Sequence, residues 1–443
     1  MDYTQITTAQ REEMLKAVGA ASIEDLLKQV PDQLRMKRPL DLPAAMDELT
    51  LQQHLTDLSA RNTPAGEKVC FLGAGAYDHF IPAVVDSLSS KGEFVSAYTP
   101  YQAEASQGSL QAFFEFQTMV CQLAGMDIAN ASLYEGASAL AEAALMAAAA
   151  SGKRQILISR ALSPDYRRVL QTYLFDLPAV YNEVALKDGL TDLEDLKAKM
   201  SADTAAVVVQ SPNFLGLLEN VQAVAGIAHE QGAAVVQAFN PISVGIMKRP
   251  GDQGADIAVA EGQPLGMPLS FGGPYLGLFA AKQQFLRRMP GRLVGQTVDA
   301  EGRRAFCLTL QTREQHIRRE KATSNVCTNQ GLMALRASIY MAAMGPQGLK
   351  QVAQLCHNKA AYFAAQAQAA GLKLKFSAKP FFNEVLVELK RPVDEAQKRA
   401  SDEGILAGYA VGKDYPDLNN CLLVAVTETR TRAEIDGLID VLK

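Results

Sequence analysis

The sequence has no long apolar stretch, no closely spaced cysteine pair, no histidine spacing suited to a metal and no basic excess. Each absence closes a class of function. The Ala-rich run at residues 141–150 is too short and too weakly hydrophobic to span a bilayer, which takes about 20 apolar residues. Acids and amides fill the N-terminal segment where a secretory signal needs an apolar core, and the Arg-rich, acid-poor bias of a transit peptide is missing, so a cytoplasmic protein with no membrane association is predicted. The six cysteines (Cys70, Cys121, Cys307, Cys327, Cys356, Cys421) form no CxxC pair, which fits a reducing compartment. His54, His79, His229, His316 and His357 show neither HxxxH nor HExxH spacing, so structural histidines and no metal are expected. A net charge of -5 offers no field for phosphate backbones, which argues against nucleic acid as a partner. No internal repeat or low-complexity tract is present.

What remains is an ordinary globular composition, 48% hydrophobic and 21% charged. At roughly 150 residues per domain, 443 residues suggest two or three domains. Residues 1–65 are rich in charge and helix formers and punctuated by Pro39 and Pro43, which reads as a helical arm. From residue 66 to 345, continuous apolar runs at 155–159, 205–210, 233–237 and 275–280 read as strands buried on both faces. A crossover helix over 221–231, stopped by Gly232, joins two of them, so the large domain is predicted to be α/β with a mostly parallel sheet. Residues 346–443 read as a smaller α+β domain. It has an alternating strand at 382–388, a second strand at 422–426, and a Thr431-x-x-Glu434 capping box opening the last helix.

Four segments could carry chemistry, and each has a plainer reading beside it. Tyr98-Thr99-Pro100-Tyr101-Gln102 is a Pro-stiffened aromatic loop, followed by Glu104-Ala105-Ser106-Gln107-Gly108 and an amphipathic helix; an N-cap at Ser106 with a packed loop explains it equally well. Tyr134-Glu135-Gly136-Ala137-Ser138 opens a small-residue helix whose free N–H groups could cradle a phosphate, or is an ordinary capped helix start. Ser270-Phe271-Gly272-Gly273-Pro274 is a loop of the kind that lines a cofactor or subunit contact, or a tight turn. The segment at 315–325 mixes His316, basic residues and Thr323-Ser324-Asn325, and by default is a solvated helix end.

Read together, residues 71–79, 98–108 with 115–119, 261–277 and 313–328 resemble the N-terminal half of glycine decarboxylase, the P-protein of the glycine cleavage system. The resemblance runs from about residue 23 through Thr427-Glu428-Thr429-Arg430-Thr431 to the end. It implies the type I fold of pyridoxal phosphate enzymes. It also implies an activity that decarboxylates glycine and passes the aminomethyl group to the lipoyl arm of the H-protein. Some members carry two homologous halves in one chain and others as separate subunits, and this chain matches one half.

Decarboxylation leaves electrons at the α-carbon, and pyridoxal phosphate absorbs them when a lysine tethers it and an acid keeps its ring nitrogen protonated. In the family's catalytic half the acid ends a strand equivalent to Val235-Val236, and the lysine lies shortly before the Gly-rich loop. Gln237 stands at the first position, Gln263 or Pro264 at the second, and no lysine occurs between Lys248 and Lys282. The resemblance therefore implies a coenzyme held by a second, catalytic subunit, with lipoylated H-protein and glycine as further partners. Tyr98, Tyr101, Gln102, Glu104, Ser106 and Gln107, and secondarily Thr323, Ser324 and Asn325, are the candidates for lining a shared active site. Two rivals stand beside this: a self-sufficient pyridoxal phosphate enzyme using Lys321, and a purely structural pseudoenzyme.

Overall fold

The computed structural model describes residues 5–95 and 99–443, so Tyr98 lies outside the described residues. The chain divides into two units, Met1–Asn62 and Thr63–Lys443. In the first, α1 (Thr8–Ala17) opens on a capping box in which Thr7 and Gln10 satisfy each other's backbone N–H. Asp47 caps α2 (Glu48–Ser59) by accepting from Thr50 N.

The second unit is built on a seven-stranded sheet of β1 (Ile128–Ala129), β2 (Gln155–Ser159), β3 (Val180–Val184), β4 (Thr204–Gln210), β5 (Ala234–Phe239), β6 (Ile257–Glu261) and β7 (Gly277–Ala281). Their order is β1-β7-β6-β5-β4-β2-β3. Strands β2 to β6 pair in parallel, and only β7 runs antiparallel to its neighbours. The unbroken apolar runs are explained by burial on both faces. Val207 and Val209 join one apolar cluster with Leu110, Phe113 and Phe116 of α3 (Gln107–Ala124). Ala206 and Val208 join another with Leu140 and Met146 of α4 (Gly136–Ser151) and Leu170 of α5 (Pro164–Leu174). Each fully buried valine contributes about 1.5 kcal/mol or more, so apolar contact on both faces holds the sheet between its helices. The crossover helix α6 (Val221–Glu230) is followed by Gly232 at φ 63°.

Beyond the sheet lie a hairpin, β8 (Leu293–Val298) with β9 (Arg304–Thr309), and the long α7 (Gly331–Ala369). α7 is kinked at Gly345 (φ 60°, ψ 178°), just before Pro346. A four-stranded antiparallel sheet follows: β10 (Lys373–Leu374), β11 (Glu384–Glu388), β12 (Tyr409–Ala410) and β13 (Cys421–Ala425), in the order β10-β11-β13-β12. It packs with α8 (Val393–Asp402) and α9 (Arg432–Leu442), and the Thr431–Glu434 capping box is formed.

Two local expectations fail. The alternation read over 382–388 is not realised, because Glu384 to Val387 are all buried: Val385 and Val387 face one apolar cluster and Leu386 another. Ser106 occupies the position before α3 but makes no side-chain cap bond. Among the described residues, no helix is long and apolar enough to cross a membrane.

Candidate functional site

In open α/β sheets, ligands gather outside the carboxyl ends of the strands. Here that edge is closed from within. At the start of α4, the Glu135 carboxylate accepts from Ala137 N at 2.6 Å and Ser138 N at 2.7 Å. Glu261, at the end of β6, accepts from Gly136 N at 3.0 Å with one oxygen, and from Gln263 N at 2.9 Å and Leu276 N at 3.1 Å with the other. The donors read as free to hold a phosphate are therefore taken by two internal anions, which answer the positive end of the helix dipole as a phosphate would. A Cβ at Gly136 would lie 1.9 Å from the Tyr166 hydroxyl and 2.9 Å from Glu261 N, so glycine is required for this closeness. Burial pushes Glu261 up to about 7, against the pull of its three backbone donors.

The rest of the cleft is also packed, though Asn383 Nδ2 in its wall has no hydrogen-bond partner. Gln237 is buried on β5, and its Oε1 has no hydrogen-bond partner. Gln263 is pinned by both ends of its amide: Oε1 accepts from Tyr77 N at 2.9 Å, while Nε2 donates to Tyr77 O at 2.9 Å and Met267 O at 2.8 Å. Glu384 accepts from Ala74 N at 2.7 Å and from the Tyr77 hydroxyl at 2.9 Å, and burial pushes it up to about 7. The cavity left among Tyr77, Tyr166, Glu261, Pro264 and Glu384 is about 30 Å³, room for a water or two.

A second region is open. A cavity of about 610 Å³ is lined by Tyr101, His316, Asn325 and Cys327 among others, so the two polar stretches flagged in the sequence meet there. Tyr101 is 58% exposed, yet its hydroxyl accepts from Arg292 Nη2 at 2.9 Å, and the same guanidinium donates through Nη1 to Thr328 Oγ1 at 2.7 Å. Gln107 holds the loop to the hairpin, accepting from Phe306 N at 2.9 Å and donating to Phe306 O at 2.8 Å. Gln102 and Glu104 are exposed on the same loop and Ser106 is half-buried. Thr323 and Ser324 line a smaller adjoining space of about 10 Å³ beside Arg313. Burial pushes Glu142 up to about 7, and a hydrogen bond from Ser324 pulls it back.

The profile of the family described as the glycine cleavage system P-protein matches residues 1–442. The chain belongs to that family. It is similar to a protein of Geobacillus thermodenitrificans named probable glycine dehydrogenase (decarboxylating) subunit 1, with 50% identity over 440 residues, 99% of this chain and 98% of the relative. It is also similar to a crystal structure of glycine decarboxylase (P-protein) in inhibitor-bound form, at TM-score 0.91 and 44% identity over 100% of this chain and 99% of that one. A NifS-like protein from Rickettsia africae shares the fold at TM-score 0.61 and 12% identity, covering 84% of this chain and 98% of its own. The fold is thus the type I fold of pyridoxal phosphate-dependent enzymes, a mixed α/β architecture around a mostly parallel sheet.

Pyridoxal phosphate does not fit the cleft of this P-protein family member. The N–H groups of Gly136, Ala137 and Ser138 are occupied, the space is about 30 Å³, and no lysine lines it. Lys321 is exposed on the turn Arg319–Lys321 and does not line that cleft. Three metal-ligand side chains do converge, His79, Cys356 and Glu428, with ligand atoms within 4.8 Å of one another. They already bond one another: Glu428 accepts from the Cys356 thiol at 3.3 Å and lies 2.7 Å from His79 Nδ1. Arg292 was missed by sequence reasoning, because a single arginine after Pro290-Gly291 carries no motif and its partners lie 36 and 191 residues away.

Proposed function

We propose that this chain is the first subunit of a split glycine dehydrogenase (decarboxylating), the P-protein of the glycine cleavage system, and that it works only with a second subunit. The complex decarboxylates glycine and passes the aminomethyl group to the lipoyl arm of the H-protein. The second subunit holds pyridoxal phosphate, which supplies the electron sink when bound. This chain completes the site: Tyr101, Gln102, Glu104 and Asn325, with Ser106, Gln107, Thr323 and Ser324 behind them, shape the pocket for glycine or the entrance for the lipoyl arm. In the same reading, Tyr98 belongs with this loop, residues 1–65 form an arm, and residues 66–345 and 346–443 form the large and small domains.

One observation supports the proposal: the N–H groups of Gly136, Ala137 and Ser138, which a coenzyme phosphate would need, are taken by Glu135 and Glu261. The test mixes purified chains. This chain alone with pyridoxal phosphate is expected to show no borohydride-reducible absorbance and no glycine-dependent release of carbon dioxide, while the mixture with the second subunit shows both. A yellow, reducible product formed by this chain alone would overturn the assignment.

A further inference from the structure

We infer that Arg292 is a positioning residue for the glycine reaction, acting through Tyr101; the inference rests on the reading above that Tyr101 lines the shared site. Arg292 is 3% exposed, and among the described residues it makes no salt bridge to a carboxylate. Burying a guanidinium without a counter-charge is costly, and buried arginines are ordinarily paired with acids. Arg292 instead donates to two neutral hydroxyls, Tyr101 Oη at 2.9 Å and Thr328 Oγ1 at 2.7 Å, and leaves its buried Nε–H without a partner. The cost of that unmet donor is not offset by any ion pair of Arg292 with a carboxylate. Its carbon centre also lies 5.4 Å from the Tyr101 ring centroid, so the cation holds both the ring and its hydroxyl.

The chemistry fixes the direction of a proton. A guanidinium has donors and no acceptor, so both hydroxyls are acceptors toward Arg292 and their own O–H protons must point elsewhere. Tyr101 lines the 610 Å³ cavity, and with Arg292 behind the oxygen the phenol proton is left for a ligand in that cavity. The charge behind the oxygen strengthens that donor without consuming it. The group it suits is an oxygen acceptor on the ligand, such as the carboxylate of glycine. Because Thr328 hangs from the same guanidinium, Arg292 also ties the aromatic loop to the segment carrying Asn325.

The experiment uses the assembled two-subunit enzyme with variants R292M, R292K, Y101F and R292M/Y101F, measuring kcat and KM for glycine separately. R292M and Y101F are each expected to lower kcat/KM by about 100-fold, the scale of a lost orientation, with the double variant no worse than the weaker single. R292K is expected to recover little, since one ammonium cannot reach two hydroxyls in the planar geometry of the fork. In a fifth variant, R292A, added guanidinium ion is expected to restore part of the activity, and it is expected to restore none to Y101F, which a merely structural role would not produce. If R292M fails to assemble, R292K and the rescue of R292A decide the matter. Full activity in Y101F would sink the reading of Tyr101 itself. Loss in Y101F with normal kinetics in R292M, or losses that multiply in the double variant, would overturn the role of Arg292 alone.

Discussion

The cleft beside Glu261 and the Tyr101 cavity are two polar pockets of one unit, and they differ in how their polar groups are met. In the cleft the donors at the start of α4 and beside Tyr77 have internal acceptors: Gly136, Ala137 and Ser138 on Glu135 and Glu261, and Tyr77 on Gln263 and Glu384. At the cavity a buried cation is spent on an exposed phenol, and Asn325 and His316 stand at an open wall. The contrast separates a cleft whose helix-start donors are met by side chains from a cavity whose wall is open and polar. It also shows how the start of α4 is stabilised from within: a helix N-terminus favours negative charge, and a carboxylate provides it.

The comparison breaks most severely at Glu261. Removing its carboxylate in Glu261→Ala orphans three buried N–H groups at once, those of Gly136, Gln263 and Leu276. The expected loss is about 3 kcal/mol in urea denaturation, taking roughly 1 kcal/mol or more for each unmet donor. The variant is not expected to gain a reducible coenzyme adduct, because no lysine replaces Gln263. A loss below about 1 kcal/mol would mean that water satisfies the helix start and the seal is not structural.

A smaller effect is set by pH at Glu384. Burial pushes its carboxyl from the usual 4.5 up to about 7. Between those values the unfolded chain has released the proton while the folded chain still holds it, so stability falls as pH rises through the window and the penalty is complete above pH 7. Glu384→Gln keeps an acceptor for Ala74 N and removes the titration. Relative to wild type it is expected to gain on the order of 2 kcal/mol between pH 5 and pH 8, at about 1.4 kcal/mol per unit. Parallel stability curves for the two proteins would show that Glu384 is ionised throughout.

Much of this architecture is legible in the residues, and the gaps share one cause. Runs such as Ala205 to Gln210 announce strands buried on both faces, and the Thr431–Glu434 box announces its helix, because those signals are local. The absence of any lysine between Lys248 and Lys282 is equally plain in sequence. The seal is not, since Glu261 and Gly136 are 125 residues apart and a glutamate ending a strand looks like a strand end. The strand over Glu384 to Glu388 was misread for a related reason: its second face is covered by Phe214, Leu215 and Leu423, contacts that no pattern within the strand reveals. Nor does a serine ahead of a helix guarantee a cap, as Ser106 shows.

The gentlest tests set a residue of each region against the other. Glu135→Ala removes the cap bonds to Ala137 N and Ser138 N and is expected to cost about 1 kcal/mol, with little effect on the activity of the assembled complex beyond that of reduced stability. Asn325→Ala should do the reverse. Asn325 is exposed at the cavity wall, so its removal is expected to change stability by less than about 0.5 kcal/mol, while glycine turnover by the complex falls several-fold because the cavity loses a polar contact. Thermal melts and carbon dioxide release measured on the same preparations read both quantities. If Asn325→Ala melted early and turned over normally, the open region would be one more structural pocket, and the difference between the two regions would be of packing alone.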